Sequence, residues 1–137
     1  MKRELEDELV KLAPTFLKDM HGDETVTCMA WGVSCSDGWY SVVKEMCEKL
    51  EAINMKMDGK AKVIADQIKE KFGELTVYYH VEGDMPSELK EEASAIVCEA
   101  EEKSWSVCEE CGKPATMTTK GWITRLCEEC YERRTRK

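Results

Sequence analysis

Residues 60–83, KAKVIADQIKEKFGELTVYYHVEG, decide whether the body of this 137-residue chain is mainly helical or is built around a sheet. The second half, Leu75 to Val81, is rich in β-branched and aromatic residues and predicts a strand. The first half reads two ways. Ile64, Ile68 and Phe72 recur every fourth residue, and Gly73 stands where a left-handed helix cap belongs, which favours a helix over 60–73. The alternative is a strand that pairs with residues 75–81 through a turn at Gly73-Glu74. With the helix as the working expectation, strands are few and the fold class is α+β with a small helical body.

Outward from this stretch the helical signals are plainer. On the N-terminal side Trp39, Val43, Met46, Leu50, Ile53 and Met57 step by four and three down one helix face, with Asp37 as the expected cap and Asp58-Gly59 as the stop. Leu5, Leu9 and Leu12 predict a shorter amphipathic helix that Pro14 ends. Between them, Gly and Asp punctuate a structured loop with one short strand expected near residues 26–33. On the C-terminal side Pro86 opens a helix whose stripe is Leu89, Ala93, Ile96, Val97 and Ala100 and which ends near Ser104. The spacing thus divides the chain into an acidic α+β body, residues 1–104, and a C-terminal unit, residues 105–137.

Composition and charge narrow the function. Hydrophobic residues are 42% and charged residues 35% of the chain, a globular balance. Residues 1–102 carry a net charge of -11 and residues 103–137 a net +3, within a formal total of -8. The acidic body repels phosphate backbones at long range, so nucleic-acid binding is expected of the C-terminal region. No apolar run is long enough to span a bilayer, and no membrane partner is expected. The N-terminus, MKRELEDELVKL, lacks an apolar signal core, so the expected compartment is the reducing cytoplasm.

In that compartment eight cysteines are read as metal ligands and core thiols before disulfides. Cys108-Glu-Glu-Cys111 and Cys127-Glu-Glu-Cys130 each supply two thiolates from a tight turn, and two such pairs complete a tetrahedron around one ion. Thiolates are soft ligands, so the expected cofactor is one structural Zn2+ per chain, with mononuclear iron as the alternative. Between the pairs, Ala115 to Thr119 and Trp122 to Leu126 are β-prone arms joined by Lys120-Gly121, the pattern of a zinc ribbon. Cys47 and Cys98 are expected in the core. Cys28 and Cys35, with His21 and His80, form a weaker candidate for a second metal site.

Catalytic patterns are scarce. His80-Val81-Glu82 followed by Cys108 and Cys111 resembles the signature of zinc nucleobase deaminases, but Val107 replaces its proline and Gly83 to Pro86 break the helix it requires. No histidine lies between the cysteine pairs, as a histidine nuclease on this frame would need, and no phosphate loop or nucleophile elbow occurs. Four thiolates leave no coordination position for water, so the expectation is a non-enzymatic protein. Trp39, Tyr40, Phe72, Tyr78 and Tyr79 read as core aromatics.

The candidate partner-binding residues are Lys120, Trp122 and Arg125 on the ribbon and Arg133 and Arg134 in a basic tail that continues through Arg136 and Lys137. Ribbon cations beside an exposed aromatic can hold phosphates and stack on an unpaired base. Glu109, Glu110, Glu128 and Glu129 oppose phosphate, which favours a protein partner.

Cys35-Ser-Asp-Gly-Trp-Tyr40, Gln67-Ile-Lys-Glu-Lys-Phe-Gly-Glu-Leu75 leading into Tyr78-Tyr79, and Ala100-Glu-Glu-Lys-Ser104 ahead of the cysteine pairs resemble small zinc-ribbon-bearing proteins of tailed bacteriophages and prophages. The resemblance runs from about Pro14 to Cys130 and carries no activity with it. It implies an accessory protein acting inside a bacterial host, and it adds Lys69, Lys71 and Tyr79 as candidate contacts. The leading expectation is a phage accessory protein that binds a host or phage macromolecule, first a protein. The alternatives are nucleic-acid binding through the ribbon and tail, and sequestration of a small nucleotide signal in counter-defence.

Overall fold

A computed structural model describes residues 1–135 as an α+β fold carrying a C-terminal ribbon-like hairpin. In chain order the elements are α1 (Arg3–Leu12), β1 (Val33–Ser34), α2 (Tyr40–Met57), β2 (Ala61–Lys71), β3 (Glu74–Gly83), α3 (Ser87–Ser104), β4 (Met117–Thr118), β5 (Arg125–Leu126) and α4 (Glu128–Thr135). Single 3-10 turns at Cys28–Trp31 and Asp37–Trp39 precede β1 and α2. No described helix is long and apolar enough to cross a membrane.

The expected helix over 60–73 is instead β2, an 11-residue strand antiparallel to β3. A spacing of four is a multiple of the two-residue strand period, so the recurrence that favoured a helix fits a strand equally well. The turn decides. Lys71 pairs with Glu74, leaving Phe72 and Gly73 as a two-residue loop with φ of 54° and 83°. Positive φ at both positions belongs to the type I′ turn, whose twist matches that of the flanking strands.

The strand pairing slips between Ala65 and Gln67, so that Asp66 is an extra residue, a β-bulge. Before the bulge odd-numbered residues face the core (Ala61, Val63, Ala65); after it Ile68 does, opposite Val77. One strand thereby presents a continuous apolar face despite the break in its alternation. β1 adds a short parallel strand through Val33 and Ser34 to Ile68 and Lys69.

The core gathers Leu9, Phe16, Trp39, Val43, Leu50 and Ile53 against that face, with Ala93, Val97 and Ala100 of α3 on its flank. Burying a side chain of this kind contributes about 1.5–3 kcal/mol. The stripe expected for α2 is therefore the one buried. Asp37 is not its cap: Asp37 Oδ1 accepts the Lys2 N–H at 2.8 Å and ties α1 down. Polar groups finish the packing. Glu51 accepts the Phe16 N–H at 2.9 Å, and Asn54 exchanges two hydrogen bonds with the Val63 backbone, at 2.7 and 3.0 Å. β3 is a sheet edge, and α3 satisfies it: Ser104 Oγ accepts the Leu75 N–H at 2.8 Å and Glu101 accepts that of Val77 at 3.0 Å.

Candidate functional site

The two cysteine pairs converge. In the first turn the Cys108 N–H donates to Lys113 O at 2.7 Å and the Gly112 N–H to Cys108 O at 2.9 Å, with Gly112 at φ 82°. The second pair closes β5 and opens α4, and there the Cys130 N–H donates to Cys127 Sγ at 3.4 Å. That hydrogen bond first, and those of the neighbouring thiols after it, lower the Cys127 thiol to about 7, whereas burial raises the thiols of Cys111 and Cys130. All four sulfurs lie within 4.8 Å of one another, and Cys111 Sγ and Cys127 Sγ are 3.6 Å apart. A tetrahedron with metal–sulfur bonds of about 2.3 Å has edges of about 3.8 Å. Cys108, Cys111, Cys127 and Cys130 can therefore hold one metal ion. Cys108, Cys127 and Cys130 form, with Leu126 and Tyr131, a small cluster separate from the main core, and Cys111 is exposed at its edge.

The ribbon is seated on the body. The Gly38 N–H donates to Glu109 O at 2.7 Å, Ser36 N–H to Glu109 Oε2 at 3.0 Å, and Trp39 Nε1 to Val107 O at 2.9 Å. A Cβ on Gly38 would stand 2.2 Å from Cys108 O, so only glycine permits this approach. At the other end, a Cβ on Gly73 would meet Ile123 Cγ2 at 2.8 Å. The tip of the β2–β3 hairpin thus rests against the connection between β4 and β5.

This contact forms a cleft of about 390 Å³ lined by Lys69, Lys71, Phe72, Trp122 and Ile123. A second cleft, about 380 Å³, is lined by Lys120, Trp122, Tyr131 and Arg134. Trp122 belongs to both. Phe72 is 72% exposed and Trp122 79%, so the expectation of a core role for Phe72 is corrected: its turn position points it away from the sheet. Tyr78, also expected in the core, is 44% exposed on the outer face.

The structure sorts the predicted contacts. Lys69, Lys71 and Trp122 come together, as do Lys120, Trp122 and Arg134, while Arg133 is exposed on α4. Arg125 is engaged by the protein itself: its guanidinium lies 4.5 Å from the Trp105 ring and donates to Trp105 O, Thr118 Oγ1 and Ala115 O. Tyr79 packs against the core, on the side of the sheet opposite Lys69 and Lys71, because it pairs with Ala65. Arg136 and Lys137 lie outside the described residues. The helix α4 went unread in the sequence, since eight residues rich in Glu and Arg show no apolar stripe.

His80 stands apart from the cysteines. Asp66, displaced outward by the bulge, lies 2.7 Å from its Nδ1, and Glu82 lies 3.0 Å from its Nε2. The Glu82 hydrogen bond, and behind it Asp66, raise the imidazole above its ordinary value. Cys28 and Cys35 do not join it in a ligand set. Cys35 is buried, and burial pushes its thiol up to about 12. Cys28 is exposed, and so is Cys98, contrary to its expected core position. Among the described residues the four cysteines are the one group of three or more potential ligands close enough to share an ion. Compared with protein-family models, curated proteins and solved structures, the chain gives no match.

Proposed function

We propose that this is a non-catalytic binding protein in which one zinc ion, held by Cys108, Cys111, Cys127 and Cys130, fixes a ribbon onto an acidic α+β body. Ribbon and body together present a single face to a macromolecule of the bacterial host or of a phage, in the cytoplasm, as the phage resemblance implies. The observation that carries the reading is the meeting of Phe72 and Trp122. Fifty residues apart in sequence, both are exposed, and they wall one cleft. Large aromatics left in solvent at the junction of two units mark a recognition surface.

Zinc is favoured over iron because the ribbon needs only a closed tetrahedral site, which zinc fills without redox chemistry. That site leaves no vacancy for water, and His80 and Glu82 are hydrogen bonded to each other away from the sulfurs, which supports the non-catalytic reading.

Two measurements test it. Elemental analysis of purified protein is expected to find one zinc per chain. A photo-crosslinking residue at position 122 is expected to capture a macromolecule in host extract, while the same residue at exposed position 55 does not. Position 55 lies near the start of β2, and that strand runs about 30 Å to its far end at the cleft. Equal capture at both positions, or at neither, refutes the binding face.

A further inference from the structure

We infer that the face around Trp122 binds single-stranded nucleic acid, with bases stacked on Trp122 and Phe72 and phosphates held by Lys69, Lys71 and Lys120. The inference rests on the binding-protein reading above and names its ligand.

Three independent features point to it. The first is charge. In a chain with a net charge of -8, five of the fourteen described lysines are ion-paired, Lys2 to Asp37, Lys11 to Glu8, Lys49 and Lys103 to Glu45, and Lys113 to Glu129. Among the described residues, Lys69, Lys71 and Lys120 make no ion pair, and all three line the clefts beside Trp122. Glu70, the carboxylate in the same cleft, accepts the Gly73 N–H at 3.0 Å, so its charge is directed into the turn. Unpaired lysines ringing aromatics are the footprint of a phosphate backbone, whereas protein interfaces are depleted in lysine.

The second is the backbone at Phe72. Its φ of 54° is a conformation in which asparagine or glycine is far less strained than an aromatic. A phenylalanine that is also 72% exposed gains little from packing there. Strain without compensating burial is expected where the side chain serves a ligand.

The third is the placement of Trp122 in the walls of both clefts. Trp122 borders both spaces, so bases placed in either can reach its ring. Paired bases in a duplex are stacked on each other and cannot enter, which selects a single strand.

The test uses the full-length zinc-loaded protein and fluorescein-labelled oligonucleotides of about 12 nucleotides, a length within the usual footprint of such sites. Oligo-dT and oligo-rU are compared with a duplex by anisotropy. Binding of either single strand well above the duplex is expected, and the two arms tell DNA from RNA. With three lysines engaged, the logarithm of affinity should fall with the logarithm of salt with a slope of about -2. W122A and F72N should each weaken binding by about tenfold, the loss of one stacked base. K69E/K71E should flatten the salt slope. Thermal melting of each variant separates lost binding from lost folding, and F72N is expected to melt no lower than the parent.

Absence of binding at low salt, equal affinity for duplex, or indifference to W122A overturns the inference. If position 122 then still cross-links a protein site-specifically, the binding-protein reading survives without the nucleic acid. If it cross-links nothing, both fall.

Discussion

Phe72 adopts a positive φ that a β-hairpin loop reserves for asparagine or glycine, and it does so in full view of solvent. Replacing it by asparagine should stabilise the protein by about 0.5–1 kcal/mol, because the strained aromatic is relieved and little buried surface is lost. Urea denaturation measures this directly, and a lower midpoint would contradict it. His80 makes a second residue-scale statement. Its folded value lies above the ordinary 6.5, chiefly through Glu82, so folding favours the imidazolium. The contribution of the pair to stability is therefore complete below pH 6.5 and disappears as pH rises through the folded value. It should be small, since the imidazole is 42% exposed and its partners are well solvated. A titration followed by NMR should find the imidazole above 6.5 in the native protein and lower than that of the parent in both E82Q and D66N.

The elements of the body meet the ribbon through a few backbone groups, and these are open to substitution. S104A removes the acceptor of the buried Leu75 N–H at the β3 edge and should cost about 1–3 kcal/mol in chemical denaturation. G38A forces a methyl group against Cys108 O and Glu109 O and should cost about 3 kcal/mol while leaving the proposed zinc in place. Proteolysis between residues 105 and 110 should accelerate in that variant. At this scale much was legible beforehand. The stripe from Trp39 to Ile53 became α2, the aromatic run at 75–81 became β3, and the two cysteine pairs met. The misreading of β2 came from a spacing that suits both periods, broken further by a bulge that no residue type announces at Asp66. The cleft was hidden for another reason. Lys69, Lys71 and Trp122 are each readable as candidate contacts, but a cleft shared by positions 72 and 122 depends on Gly38 and Gly73 letting two units approach, and local pattern does not encode such distances.

Taken whole, the molecule joins a large apolar core to a ribbon whose buried cluster consists of three cysteines and Leu126. So small a cluster cannot organise residues 105–135 unaided. Chelation of the metal proposed to be zinc should abolish dispersed NMR signals from that region and leave those of α1, α2 and the sheet, and C108S should behave the same way. Loss of the whole fold on chelation would contradict the separate clusters.

Phe72 belongs to the body and Trp122 to the ribbon, so an ion held by the four cysteines would reach the cleft without touching it. Each wall of the cleft answers to a different half of the molecule, so occupancy of the cleft by the proposed ligand and occupancy of the cysteine site would be reciprocal quantities. Whatever factor the proposed zinc adds to the affinity for the proposed strand, the strand would return to the affinity for zinc. A chelator competition run with and without oligonucleotide would read that factor from the opposite end of the protein.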